Sequence, residues 1–593
     1  MGKIFKNKLK KAKVIAGDDL GIFFKSNKNS TDKSLFGPNS LQVSRERLHL
    51  AKFFFVLIFS IFIIRSTSLA LFPGEVRDIP KSIVSKEIKN PLPEIFDRNN
   101  KLLVTSVRTK RASIRNPVNP EETARLIKAV LPAWDEGRLK EKLENRRYVE
   151  LADNINDIEH YDILNSGVAE VEFHPVWRRI YTNKELASHI IGYSGRDLVG
   201  LSGIEKTIPK SKSLHKDIKL SIDITVQFHL ENEIKNGIEL YSADSGFGVI
   251  IDVLSGEIIA SASLPTFDPN TINQNYSNFK YKQTTFNQVM QGSYELGSVM
   301  KVLTIAMALE DNKINLNDTF NDNICIKIAA NRCLNNYNNQ SSQEPLTAVD
   351  CLVRSSNRCM AQIAKIVGRA KQKSFLQDIG LLDEYFLEIF ETGSPILPSK
   401  WSDNSMLTIS FGQGLGVVPL SFASGIASIV NGGFKIKPTL YSTNTSDKRG
   451  ASIISEEVSE KVRYAMRQVV KRGSGQGADI KGYAVIGKTG TADIPCNGSY
   501  EGCGNRTAFV GAFPGWNPQY VLLISYERPQ ANIKKGIKRN SSFWNAGPTA
   551  GRIIELVAPL LNVEYNEKKE PLLTFPNQII ETYNIETYNK EVL

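Results

Sequence analysis

The chain has 593 residues, 74 Lys plus Arg against 62 Asp plus Glu, with 41% hydrophobic and 23% charged residues. At about 100–200 residues per domain, this length implies two or more domains, and the globular composition excludes wholesale disorder. The net charge of +12 would suggest a nucleic-acid partner if it lay on a folded domain, but residues 1–52 hold 12 Lys or Arg and 4 Asp or Glu, so eight of the twelve charges precede the first apolar segment. No nucleic-acid partner is expected.

That basic tail, residues 1–52, runs into Phe53-Phe-Phe-Val-Leu-Ile-Phe-Ser-Ile-Phe-Ile-Ile64, a run too short to span a bilayer alone. Extended to Phe72 it reaches spanning length, with Arg65 able to snorkel. A cleaved signal peptide would have a far shorter basic region, and a core helix would not be apolar all round. The segment 53–72 therefore reads as an uncleaved signal anchor. Its positive flank stays in the cytoplasm and residues 73–593 lie outside the inner membrane.

Residues 73–236 read as an irregular α+β region with a charged helical stretch at 121–148. Ile218–Gln227 alternates like a strand and passes into a helix over Phe228–Glu239. Gly246–Ser263 reads as a hairpin about a Leu-Ser-Gly turn. Helices follow at Val299–Leu309, Ala348–Val367 and Phe422–Val430, strands at 482–488, 507–513 and 519–526, and a helix at 547–561. Strands at both ends with helices between them indicate an α/β domain over 237–563 whose sheet joins the two ends of the segment. Residues 564–593 read as a polar tail.

All six histidines lie before residue 230. A Ser-His-Asp triad, a Cys-His pair or a His-ligated zinc built within the later part of the chain is thereby excluded. The six cysteines all fall late, with no C-x-x-C pair. Outside the membrane, Cys325/Cys333 and Cys496/Cys503, each in a Gly/Asn-rich loop, are candidate disulfides. Cys351 and Cys359 share one helical pattern, where eight residues span about 12 Å, too far to bridge, and they read as buried free thiols.

A serine nucleophile without histidine needs an amine base. Ser298-Val-Met-Lys301 places hydroxyl and ammonium on one helix face, ahead of the apolar Val302–Leu309. Ser30-Thr-Asp-Lys33 and Ser277-Asn-Phe-Lys280 share the spacing but lie in the tail and in a polar stretch. To act as base near neutrality Lys301 must lose about 3 pK units, which burial beside another cation supplies. Lys488-Thr489-Gly490-Thr491, ending the strand Tyr483–Gly487, offers that cation. Its two hydroxyls suit a substrate carboxylate, and Thr491 N–H can pair with Ser298 N–H as an oxyanion hole. A Ser-x-Asn element exists twice. Ser355-Ser-Asn357 lies within a core helical stretch and is preferred to Ser402-Asp-Asn404, where Ser402 reads as a helix cap.

These three motifs, in this order, resemble the signature of penicillin-binding proteins and serine β-lactamases. Glu94-Ile-Phe-Asp-Arg-Asn99, Arg178-Arg-Ile-Tyr181, His189-Ile-Ile-Gly-Tyr193, Leu220–Gln227, Ala262–Asn270, Phe411-Gly-Gln-Gly414 and Trp544-Asn-Ala-Gly-Pro548 extend the resemblance to the septal branch of the class B penicillin-binding proteins. Leu92-Pro93, Leu296 and Val299-Met300 depart from the usual residues without removing a catalytic group.

The resemblance implies an α/β (α+β) transpeptidase domain with an antiparallel sheet and an inserted helical subdomain, standing on an elongated α+β pedestal over 73–236. It implies Ser298 as nucleophile towards a D-Ala-D-Ala stem peptide of peptidoglycan, Lys301 as base, and Ser355 with Lys488 as proton relay. Asn357 would orient Lys301 and the substrate, and Thr489, Gly490 and Thr491 would bind the substrate, with no metal or cofactor. Expected partners are β-lactams, a SEDS-type glycosyltransferase and other division proteins of the inner membrane, at the septum. An elongation-specific transpeptidase carries the same motifs and stands as the alternative. A β-lactam sensor would normally carry more membrane segments, and a β-lactamase would need a deacylating carboxylate. The nearest stretch to one, Glu384–Glu388, lacks the accompanying Asn.

Overall fold

The computed structural model describes residues 49, 51–64, 67, 92–209, 216–272, 284–329, 332–384, 386–443, 447–496, 500, 502–571 and 573. They fall in two units, Met1–Lys89 and Asn90–Leu593. In the first, residues 51–64 form a helix whose phenylalanines and isoleucines are exposed. Residues 65, 66 and 68–72 of the expected anchor lie outside the described residues, and among those described no helix is long and apolar enough to cross a membrane.

The second unit begins with β1 (Ile95–Phe96) and the long β2 (Leu102–Arg115). α1 (Pro120–Val130), α2 (Glu136–Asn145), β3 (Tyr148–Ile155), α3 (Asp157–Asn165) and β4 (Val171–Tyr181) follow. β3 and β4 both pair antiparallel with β2. The charged stretch at 121–148 is two helices rather than one. Pro132 follows the first, and Asp135 caps the second by accepting from Arg138 N at 2.8 Å. Beyond the short α4 (Ser188–Ile191) and α5 (Gly203–Thr207), β5 (Ile218–Lys219) returns to pair in parallel with β1. Asp97, buried beside β1, accepts from Asn99 N, Lys101 N and Ile224 N, tying this sheet to the helix that follows.

That helix, α6 (Ile224–Tyr241), starts earlier than the periodicity predicts. The expected strand at 218–227 ends at Lys219 because Asp223 accepts from Thr225 N and Val226 N and opens the helix. β6 (Ser245–Asp252) and β7 (Ile258–Leu264) form the expected hairpin. The middle of the chain inserts α7 (Lys301–Glu310), β8 (Thr319–Phe320), β9 (Lys327–Ala329), β10 (Arg332–Cys333) and β11 (Leu346–Thr347). α8 (Ala348–Val353), α9 (Asn357–Val367), α10 (Arg369–Asp378), α11 (Asp403–Ile409), α12 (Pro419–Val430) and α13 (Glu456–Arg472) continue it. β12 (Ile486–Asp493), β13 (Asn505–Phe513), β14 (Tyr520–Glu527) and α14 (Ala546–Leu560) close the unit.

The main sheet runs β12-β13-β14-β6-β7, antiparallel throughout, so the two ends of the segment do share one sheet. Both of its faces are covered. Val249, Ile251, Val521 and Leu523 pack on the inserted helices, while Ile250, Leu522 and Ile524 alternate to the other face under α6 and α14. Such double burial turns these strands into near-continuous apolar runs. β12 is left as an edge, with its free side towards the start of α7. The segment after α14 is anchored at its beginning, where Glu570 receives Arg467 Nε at 2.6 Å; residues 574–593 lie outside the described residues.

Candidate active site

Three segments converge at the free edge of β12. Gly297–Met300 is a 3-10 turn that leads into α7, so Ser298 stands half-buried at the head of the helix and Lys301 is fully buried one turn on. The turn lies hard against β12. A Cβ on Gly297 would sit 2.7 Å from Thr491 O, and one on Gly490 would overlap Leu296 O. Only glycine at both positions permits this backbone-to-backbone contact.

The Ser355-Ser-Asn357 element is not inside a helix. α8 ends at Val353 and α9 begins at Asn357; between them Ser355 takes the left-handed conformation, φ 57°, and Ser356 caps α9 by accepting from Cys359 N at 3.0 Å. This break corrects the reading of Cys351 and Cys359. They sit on two helices rather than one, their Cα atoms are 5.8 Å apart, and they form a disulfide. Cys325–Cys333 and Cys496–Cys503 are also paired, with Cα separations of 5.3 and 6.2 Å.

Lys301 Nζ donates to Ser355 O and to Asn357 Oδ1 at 2.7 Å, and lies 3.1 Å from Ser355 Oγ. Lys488 Nζ reaches the same Ser355 Oγ at 3.0 Å and Thr489 O at 2.9 Å. One hydroxyl thus bridges two fully buried amines. Burial, and secondarily the Lys488 charge, hold Lys301 well below the ordinary lysine range; burial pushes Lys488 down to about 7. A neutral amine has two N–H groups and one lone pair. The carbonyls of Ser355 and Asn357 take the two N–H groups, leaving the lone pair of Lys301 for a hydroxyl proton. Asn357 cannot flip freely, because its Nδ2 donates to Asn335 O at 3.0 Å.

A cavity of about 400 Å³ opens over this cluster, lined by Ser298, Ser355, Asn357, Thr489, Gly490 and Thr491. All the motif residues except the buried lysines therefore face one space. Contrary to expectation, Lys488-Thr-Gly-Thr does not end its strand but lies within β12, which runs on to Asp493. Ser402 caps α11 by accepting from Ser405 N, and Asn404 donates to the backbone O of Ile328 at the cavity rim; neither Ser402 nor Asn404 lines the cavity itself. Ser30–Lys33 and Ser277–Lys280 lie outside the described residues. Glu384 is exposed and does not line the cavity.

Several residues in and around the cavity carry no motif signal. Ser474, in the glycine turn after α13, hydrogen-bonds Thr489 Oγ1. Glu295 accepts from Gly414 N and Tyr500 OH, both at 3.0 Å, linking the nucleophile turn to the loop closed by Cys496–Cys503. Asp322 and Asn336 lie beneath the Ser355 turn. Polar loop residues show no periodicity, so only the fold could bring them here.

The sequence profile described as "Penicillin binding protein transpeptidase domain" matches residues 246–554, and that of the "Penicillin-binding Protein dimerisation domain" matches 93–211. Among curated proteins, "Probable peptidoglycan D,D-transpeptidase FtsI" of Caulobacter vibrioides is 28% identical over 502 residues, covering 82% of this chain and 83% of that protein. "Stage V sporulation protein D" of Bacillus subtilis is 26% identical, covering 86% of each, and "Peptidoglycan D,D-transpeptidase FtsI" of Escherichia coli K12 is 26% identical, covering 70% and 73%. A crystal structure of a peptidoglycan synthetase from Bifidobacterium adolescentis superposes with a TM-score of 0.61 at 20% identity, covering 81% of this chain and 97% of that one, and so shares the fold. With its serine, paired lysines and Lys-Thr-Gly edge strand assembled on that fold, the chain belongs to the penicillin-binding protein transpeptidase family.

Proposed function

We propose that the chain is a peptidoglycan D,D-transpeptidase that cross-links stem peptides of the septal wall through a Ser298 acyl-enzyme. The observation that carries this reading is Ser355 Oγ held between the two buried amines of Lys301 and Lys488, in the cavity that Ser298 also lines. In the acylation step Ser298 Oγ attacks the carbonyl of the penultimate D-Ala while Lys301 takes its proton. Ser298 N–H and Thr491 N–H stabilise the oxyanion, aided by the positive end of α7. Collapse breaks the C–N bond, and the departing D-Ala amine receives a proton through Ser355, with Lys488 supporting the relay. Thr489 and Thr491 hydroxyls hold the terminal carboxylate, and Asn357 orients Lys301 and the substrate amide. A second stem peptide's amine then attacks the ester, gives a proton to Lys301 and releases Ser298.

A β-lactam opens by the same attack, but its leaving amine stays tethered, so a stable adduct forms. The septal assignment rests on the sequence resemblance through Lys488–Asn545. Residues 53–72 would anchor the chain in the inner membrane with its catalytic part in the periplasm, and the pedestal at 73–236 would meet a SEDS-type glycosyltransferase and other division proteins. Labelling with a fluorescent penicillin tests the chemistry: Ser298→Ala abolishes the adduct, and a surviving adduct refutes the assignment. Depletion yielding filaments supports septal work, whereas round cells indicate elongation.

A further inference from the structure

The loop between β8 and β11 places a buried carboxylate under the catalytic turn. Asp322 is 3% exposed, follows β8, and borders the cavity. Ser356 Oγ donates to its Oδ1, Asn336 Nδ2 donates to the same oxygen at 2.8 Å, and Ser342 N donates to Oδ2 at 2.8 Å. Asn336, held in this way, turns its Oδ1 to Asn357 N at 2.8 Å and Arg358 N at 3.2 Å, the first amides of α9. The neighbouring Asn335 O fixes the Asn357 amide so that its oxygen faces Lys301. Arg358 closes the arrangement, with Nη1 on Asp322 O at 3.0 Å and Nε on Leu334 O at 2.9 Å. Two disulfides bracket the assembly, Cys325–Cys333 across the loop and Cys351–Cys359 across the turn.

We propose that Asp322 is a positioning residue of the reaction, acting through Asn336 and the Ser355–Ser356–Asn357 turn to hold Lys301 as the base. The inference deepens the transpeptidase reading and rests on it. A buried carboxylate with three donors is more than the turn needs for folding alone, since Ser356 already caps α9 and Asn336 already receives its first amides. The carboxylate also stands in the field of Lys301. Two charges act on that amine: Lys488 from β12 depresses its proton affinity and Asp322 raises it. Of the charges on the helices packed against α7, Arg472 pairs with Asp350 at 2.7 Å, Lys371 pairs with Asp311 at 3.4 Å, and Arg358 turns onto Asp322 O and Leu334 O. Asp322 thus opposes Lys488 and keeps the amine basic enough to accept the Ser298 proton, while Lys488 keeps it neutral enough to start.

The direction of the pH effect follows. Acylation needs neutral Lys301, and its acid limb reports the coupled pair of Lys301 and Lys488, of which Lys301 is the member in the field of Asp322. Removing the Asp322 charge lowers the proton affinity of Lys301 further and moves the limb to lower pH. The test measures the second-order rate of labelling by a fluorescent penicillin between pH 5 and 10 on the whole chain, with thermal unfolding in parallel. Asp322→Asn, nearly isosteric, should displace the acid limb downward by about half a pH unit or more and reduce the plateau about tenfold. An unmoved limb overturns the proposal whatever the plateau does, because a merely structural role lowers the plateau alone. Should Asp322→Asn fail to fold, Asp322→Glu decides: it keeps the charge and displaces the turn by one methylene. Its expected result is a plateau at least about threefold lower with the limb in place, and a wild-type plateau overturns the proposal. Ser298→Ala in the same series separates the two claims, since persistent labelling there refutes the transpeptidase reading itself, independently of Asp322.

Discussion

Replacing Gly297 by alanine tests whether contact between the nucleophile turn and β12 sets the reaction geometry. The added Cβ would stand 2.7 Å from Thr491 O, 3.0 Å from Thr491 C and 3.1 Å from Ala492 Cβ, where ordinary contact begins at 3.4 Å. Two of these three atoms are backbone, so relief requires turn and strand to separate by about 0.7 Å. That motion draws Ser298 N–H away from Thr491 N–H, the pair expected to hold the oxyanion. A 1 Å misplacement costs about a hundredfold in rate, so a loss of about 10- to 100-fold in acylation is expected, or about 1.4–2.7 kcal/mol of barrier. Gly297 also has φ +63°, a conformation that costs alanine about 1–2 kcal/mol, and the melting temperature falls with it. Rapid-mixing kinetics with a fluorescent penicillin measure the first effect and calorimetry the second. Gly137→Ala is the control, since on α2 its Cβ meets only Asp135 Oδ1 at 3.6 Å. A folded Gly297→Ala protein that acylates within about threefold of wild type would refute the geometric reasoning.

Ser355→Ala and Ser355→Gly should both slow acylation by about a hundredfold or more, because each removes the hydroxyl between the lysines. The glycine variant should be the more stable by about 1 kcal/mol in denaturant titration, since φ 57° strains alanine but not glycine; equal stabilities would remove the left-handed turn from the explanation. Replacing both Cys351 and Cys359 by serine opens a loop of sequence separation 8 and should cost about 2–3 kcal/mol of unfolding free energy. Acylation should slow as well, because the bond spans the Ser355 turn, and unchanged kinetics after loss of the bond would show that the turn is held by hydrogen bonds alone.

Wherever burial produces period, the elements were legible in the sequence. The apolar hairpin at 246–263, the core helix after Ser298 and the strands at 507–513 and 519–526 are legible because both faces of the sheet and most of α7 are covered, whereas the strand expected at 482–488 lies at Ile486–Asp493. The motif residues were legible for a different reason. A serine reaction without histidine leaves few chemical solutions, and the spacing of Ser298 and Lys301 meets one of them. Local polar chemistry overrode the pattern in two places. Asp223 starts α6 inside an alternating run, and Ser355 interrupts an otherwise continuous apolar helix pattern.

What the sequence determined by itself was the inventory: a nucleophile, two lysines, a Ser-x-Asn and a Lys-Thr-Gly, with no imidazole in the later part of the chain. Tertiary structure decided how they act. Residues 54 and 133 positions apart bring their amines to one hydroxyl, an arrangement set by the packing of α7, the α8–α9 turn and the edge of β12. The same break in the helix turned Cys351 and Cys359 from distant thiols into a disulfide, and the loop after β8 set Asp322 beneath the turn. Hydrophobic period records which side of an element is covered, but not where a polar turn leaves its helix, because that depends on donors and acceptors supplied from elsewhere in the chain.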